Sequence, residues 1–157
     1  MPLAIGVVVI LILDQITKYY IRQGIPAYAS VPVIDGFLSL THLQNSGAAF
    51  SFLSDVRSPW VGRVFALLSV FAIGIIVYLY RETAETATML KVALILILGG
   101  AAGNLIDRLT IGTVTDFVDM YLGAHHWPAY NVADSCISIG AVLAGIWWAF
   151  FEKPAEK

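Results

Sequence analysis

Four stretches of this chain are almost continuously apolar, at roughly residues 2–22, 64–80, 90–108 and 133–151. Each is close to the ~20 residues that an α-helix needs to cross about 30 Å of hydrocarbon. The second holds no charge between Arg63 and Arg81, the third none between Lys91 and Asp107, and the fourth none between Asp134 and Glu152. The first differs, because Asp14 interrupts it about two-thirds of the way along. The pattern predicts four membrane-spanning helices, which puts both termini on the same side. The amino-terminal run PLAIGVVVILIL has the apolar character of a signal-peptide core. It lacks a basic leader, however, and DQITKYYIR follows it where small residues would precede a cleavage site, so it reads as a retained first span.

Between the first two spans the pattern changes. VPVIDGFLSLTHLQNSGAAFSF carries β-branched and aromatic residues, an Asp-Gly turn signal at 35–36 and partial alternation from Leu38 to Leu43. It predicts a small β-element outside the membrane, within about residues 23–60. The polar linker RETAETATMLK reads as a short helix-turn on the opposite side. Residues 109–132 read as a second exposed connection on the same side as the β-element. On this topology Asp14, Asn45, Asn104, Asp107, Arg108, Asp116, Asn131 and Asp134 all fall at or beyond span ends on one membrane face, which is where function is expected.

Composition agrees with a membrane protein. Of 157 residues, 59% are hydrophobic and 13% charged, against about 25% charged in soluble domains. A single domain of this length cannot bury so much apolar surface against itself, so lipid must cover the excess. The net charge of −2 provides no basic field and argues against a nucleic-acid partner. The nine basic residues divide four and five between the two sides, no clear excess, so charge counting does not orient the chain. Cys136 is the sole cysteine, which excludes an internal disulfide. It reads as a small packing residue, because no neighbouring cation would activate its thiol. His42 and the pair His125–His126 match no metal-ligand spacing, and neither a metal nor a cofactor is expected.

The acids are the chemical signal. A carboxylate at membrane depth costs several kcal/mol unless it is paired or hydrated. Asp134, beside Asn131 at the threshold of the fourth span, reads either as a helix cap or as a functional acid. Asp116 lies 18 positions earlier in VTDF. Two carboxyls sharing one site cannot both ionise easily, so one can stay protonated while the other activates water. In GGAAGNLIDRL, Gly99 and Gly103 would let another helix approach closely. Asn104, Asp107 and Arg108 follow at i, i+3 and i+4 on one helical face. Arg108 reads as the end of an interfacial Asp–Arg pair or as a donor to substrate. Asp14 and Lys18 have the i, i+4 spacing of an ion pair. Asn45 and Gly47 lie in a small-residue turn that permits close backbone approach.

LDQITK, LQNSGAAFSF, GGAAGNLIDRL, VTDF and YNVADS, in this order, resemble the motif blocks of the bacterial lipoprotein signal peptidases, or signal peptidase II. The resemblance runs from the first span to the start of the fourth. It implies one peptidase domain over residues 1–157: an all-α membrane bundle of four helices with a small periplasmic β-cradle and a short periplasmic amphipathic helix. It implies an aspartic endopeptidase of the inner membrane with both termini cytoplasmic. Such an enzyme cleaves prolipoproteins on the amino side of an S-diacylglyceryl cysteine. The implied dyad is Asp116 and Asp134, with Asn45, Asn104, Arg108 and Asn131 binding substrate and Asp14, Lys18, Asp107 and Gly47 supporting. The implied partners are diacylglyceryl-modified prolipoproteins and membrane lipids, and a monomer is expected. From the residues alone two other readings stay open: a small proton-coupled transporter with an acidic relay, and a scaffold without chemistry.

Overall fold

The computed structural model describes residues 2–46 and 59–151. Among the described residues there are four helices: α1 (Pro2–Gly24), α2 (Pro59–Glu82), α3 (Thr88–Thr110) and α4 (Val132–Phe150). All four are long and apolar enough to cross a membrane. They extend the predicted spans by a few residues at most ends, since polar residues such as Arg22 and Glu82 continue a helix once its apolar run has set it going.

The helix α3 is the centre of the bundle and packs against each of the others. Its glycines make that possible. A Cβ at Gly99 would meet the Ile10 side chain at 2.8 Å, and one at Gly103 would meet Asp14 Oδ2 at 2.6 Å. The predicted Gly99–Gly103 groove therefore receives α1, through two residues that are themselves four apart. On α1 the buried positions are Ile10, Asp14, Lys18 and Ile21, a single stripe at helical spacing that Ile25 continues just past the helix end. Two members of that stripe are charged. An apolar cluster of Leu90, Ala93, Leu94 and Leu98 with Ile76 and Ala144 fills the other end of the bundle, while α2 turns most of its surface outward, as a lipid-facing helix would.

Sequence periodicity missed part of the sheet. Strands β1 (Ser30–Ile34) and β2 (Leu38–Asn45) form the hairpin expected around Asp35–Gly36, with Gly36 at φ +78°. The connection at 109–132, read as an exposed loop, supplies β3 (Val114–Leu122) and β4 (His125–His126). The four strands run antiparallel in the order β1-β2-β3-β4. In β3 the first four positions are all buried, so no two-residue period marks it. In β2 the buried residues include Ser39 and Thr41, whereas Leu38 and Leu40 are only half-buried. That alternation is the inverse of a hydrophobic-in strand.

A second correction concerns Asp14, which does not lie at a span end. It sits inside α1, ten residues before Gly24, or roughly 15 Å at 1.5 Å per residue. The extra turns carry Ile21 and Ile25 up to Phe117 of β3, so the sheet rests on the end of α1. No fifth helix occurs among the described residues, so the expected short amphipathic helix has no counterpart there. Gly47 lies outside the described residues.

Candidate active site

The site is assembled where α3 ends, α4 begins and β2 meets β3. The first turn of α4 sets its geometry. Asn131 is the N-cap: its Oδ1 accepts from Asp134 N at 2.9 Å, and Asp134 Oδ2 accepts from Asn131 N at 3.3 Å. Such a reciprocal box satisfies backbone donors that a helix start leaves free. Because Asn131 uses its oxygen on the cap, its Nδ2 must point away from the helix. It donates to Asp116 Oδ1 at 2.7 Å.

Asp116 is placed by β3, opposite Leu43 of β2. Its second oxygen accepts from Asn45 Nδ2 at 2.9 Å. Asp134 Oδ1 accepts from Asn104 Nδ2 at 2.7 Å, and Asn131 Nδ2 reaches Asn104 Oδ1 at 3.3 Å. Asn131 and Asn104 thus link the two aspartates, Asn45 holds Asp116 from its other side, and each of the four carboxylate oxygens accepts an N–H among the described residues. The Asp116 carboxyl is raised from 3.8 to about 6, first by burial and then by the charge of Asp134, against the opposing amides of Asn45 and Asn131.

Below the aspartates lies an ion cluster in which Asp14, Lys18 and Asp107 are buried and Arg22 is partly exposed. Lys18 Nζ is 2.9 Å from Asp14 Oδ2 and 3.3 Å from Asp107 Oδ2, and Asp107 Oδ1 is 3.5 Å from Arg22 Nη1. The i, i+4 pair of Asp14 with Lys18 is therefore present, but Asp107 pairs across helices with Lys18 and Arg22 rather than with adjacent Arg108. Removing one member of such a buried pair costs about 3–5 kcal/mol, because it leaves the other charge without compensation. Asp14 Oδ1 also accepts from Ala133 N at 3.0 Å, tying α1 to the first turn of α4. Gln15 bridges Asp14, Gly103 O and Asp107, and Thr115 N donates to Asp107 Oδ2. Neither Gln15 nor Thr115 was singled out from the sequence. Gln15 follows an acid inside an apolar span, which is the one signal that could have found it.

Arg108 is half-buried, with its guanidinium 5.6 Å from the Phe65 ring. Its charge interacts with Asp134, Asp116 and Asp107, and among the described residues its buried Nε has no hydrogen-bond partner. Among the described residues of the site, four carboxyls (Asp14, Asp107, Asp116, Asp134) lie with three cations (Lys18, Arg22, Arg108), formally one proton short of neutrality. An apolar cavity of about 730 Å³ opens beside Asp134. The β3–β4 hairpin roofs it with Met120, Tyr121 and His126, and Ser138 and Ile139 of α4 line its wall. His126 there pairs with Asp119 at 2.8 Å and stacks on Tyr121, and His42 bonds Ile25 O and Gln44.

Four spanning helices, a small sheet over one end and two hydrogen-bonded aspartates at the junction define an integral membrane protein with a polar site at one mouth of its bundle. The chain belongs to the signal peptidase (SPase) II family, whose model matches residues 6–151. Among similar proteins are the lipoprotein signal peptidases of Geobacter sulfurreducens, 48% identical over 87% of this chain and 84% of that one, and of Yersinia pseudotuberculosis, 45% identical over 96% and 86%. A solved structure described as a bacterial membrane enzyme superposes with a TM-score of 0.83 at 31% identity, covering 96% of this chain and 94% of that one.

Proposed function

We propose that the protein is an aspartic endopeptidase that removes signal peptides from prolipoproteins, with Asp116 and Asp134 as its catalytic dyad. The observation that carries this reading is the hydrogen-bonded bridge of Asn131 and Asn104 between two carboxyls, in a site one proton short of neutrality. Two acids sharing one proton are equipped to activate water without metal or nucleophilic side chain.

In the proposed reaction, water between the two carboxyls loses a proton to the ionised member and attacks the scissile carbonyl carbon. The protonated member donates to the carbonyl oxygen and, as the intermediate collapses, a proton reaches the leaving nitrogen. Asn45, Asn104 and Asn131 hold the carboxyls in place, so little reorganisation is needed as charge moves. Arg108 is assigned to the substrate, whose carbonyl groups match its N–H fork. The apolar cavity beside Asp134 takes the apolar part of the substrate next to the cleaved bond, which we assign as the S-diacylglyceryl cysteine and its flanking residues.

A substrate held in lipid has to be met where water can still reach the amide, which favours the sheet end of the bundle. We assign that end to the periplasmic face of the inner membrane, both termini to the cytoplasm, and the working form to a monomer. Cleavage of a diacylglyceryl-modified prolipoprotein by the purified protein, and its loss on replacing either aspartate with asparagine, tests this function.

A further inference from the structure

Lys18 is wholly buried, and its ammonium has three partners. These are Asp14 Oδ2 at 2.9 Å, Asp107 Oδ2 at 3.3 Å and Asn104 Oδ1 at 2.9 Å. An ammonium has three N–H donors and no acceptor, so every atom facing it must accept. Asn104 is therefore obliged to turn its carbonyl oxygen toward Lys18. Its Nδ2 then points the other way, at Asp134 Oδ1, 2.7 Å away. Asp14 and Asp107 balance the charge of the ammonium; the third bond, to the neutral amide of Asn104, uses its last N–H and, beside tying α1 to α3, fixes which way that amide faces.

Resting on the reading of Asp134 as half of the dyad, we infer that Lys18 is a positioning residue for hydrolysis: it fixes the orientation of the Asn104 amide and hence the N–H that holds Asp134. Without the ammonium, Asn104 Oδ1 keeps only the longer bond from Asn131 at 3.3 Å, and the amide is free to turn over. Its oxygen would then face Asp134 Oδ1. Two acceptors at that distance repel unless the carboxyl carries a proton, so the flipped state pins the proton on Asp134 and removes it from exchange with Asp116. Lys18 touches neither the substrate nor the reacting atoms in this scheme.

The test is a double-mutant cycle on kcat with a lipidated prolipoprotein, using Lys18→Met, Asn104→Ala and the two combined. The charge-balanced Asp14→Asn/Lys18→Met protein runs beside them, and circular dichroism and thermal midpoint in detergent are measured for each. Lys18→Met is expected to lower kcat by about tenfold to a hundredfold with KM within about twofold, as a displaced catalytic group does. In the Asn104→Ala background it should lower kcat no further, because the two act as one unit. The charge-balanced protein should show the same kcat loss while keeping its helix content. Multiplicative losses in the combined variant, or near-normal kcat in Lys18→Met, would overturn the inference. So would a kcat loss that tracks loss of folded protein in both Lys18 variants, since the lysine would then only hold the bundle together. Activity retained by Asp116→Asn or Asp134→Asn would instead remove the dyad, whatever the cycle gives.

Discussion

Asn131 and Asp134 exchange two hydrogen bonds across the first turn of α4, side chain to backbone in each direction. Helix capping and chemistry are commonly opposed explanations for an acid at a helix start. Here the cap fixes the Asp134 carboxyl and, by occupying the Asn131 oxygen, aims the Asn131 amide at Asp116. One local motif thereby sets both acids.

The pH dependence follows from Asp116. Its carboxyl is raised to about 6, mainly by burial and in part by the negative charge of Asp134, so as pH rises through that value Asp116 ionises beside that charge and the dyad loses the proton it has to donate. Cleavage should fall on the alkaline side with a limb near pH 6. Stability runs the same way. An acid whose folded value lies above its unfolded one disfavours the fold when ionised, and that penalty is relieved as pH falls through about 6 toward about 4. For a rise of about two units it amounts to at most about 3 kcal/mol. Relative to Asp116→Asn, the wild type should gain thermal stability between pH 7.5 and 5, and its cleavage rate should rise over the same range, as paired melting and rate measurements in detergent would show.

Close helix contact gives a second prediction. In Gly103→Ala the new methyl would sit 2.6 Å from Asp14 Oδ2, displacing the ion pair with Lys18. A loss of about 1–3 kcal/mol is expected from overpacking, together with reduced kcat. Gly74 in α2 has open space around it, so Gly74→Ala should be neutral or stabilising by up to about 1 kcal/mol from helix propensity. Thermal midpoints of the two purified variants distinguish them.

The cavity gives a third. Ser138 lines it one turn beyond Asp134, so Ser138→Phe should fill part of the space that the substrate needs. KM should rise about tenfold with kcat little changed, the signature of lost uniform binding. An unchanged KM would place the apolar part of the substrate elsewhere.

Much of this was legible in the sequence, and the rest was hidden for identifiable reasons. The spans follow from run length alone, and the Asp14–Lys18 pair from i, i+4 spacing. The partners of that pair were not legible: Asp107 lies on another helix, and nothing local distinguishes an Asp that pairs with Lys18 from one that pairs with adjacent Arg108. Strand β3 escaped because Thr115 and Asp116 are buried beside Val114 and Phe117, so its polar residues face inward and erase the alternation that marks a strand. Asp14 was grouped, from the four-span topology, with the polar residues at span ends on one membrane face. Its burial at the groove of Gly103 shows instead that α1 continues past the bundle to support the sheet.

The most direct measurement is cleavage of a diacylglyceryl-modified prolipoprotein, followed by gel shift, with the purified wild type, Asp116→Asn and Asp134→Asn in liposomes. Each variant is expected to fold, with wild-type helix content, and to lose at least about 10³-fold in kcat, as removal of one member of a catalytic unit does. Turnover within about tenfold of wild type by either folded variant would contradict the assignment of the two aspartates as a catalytic pair.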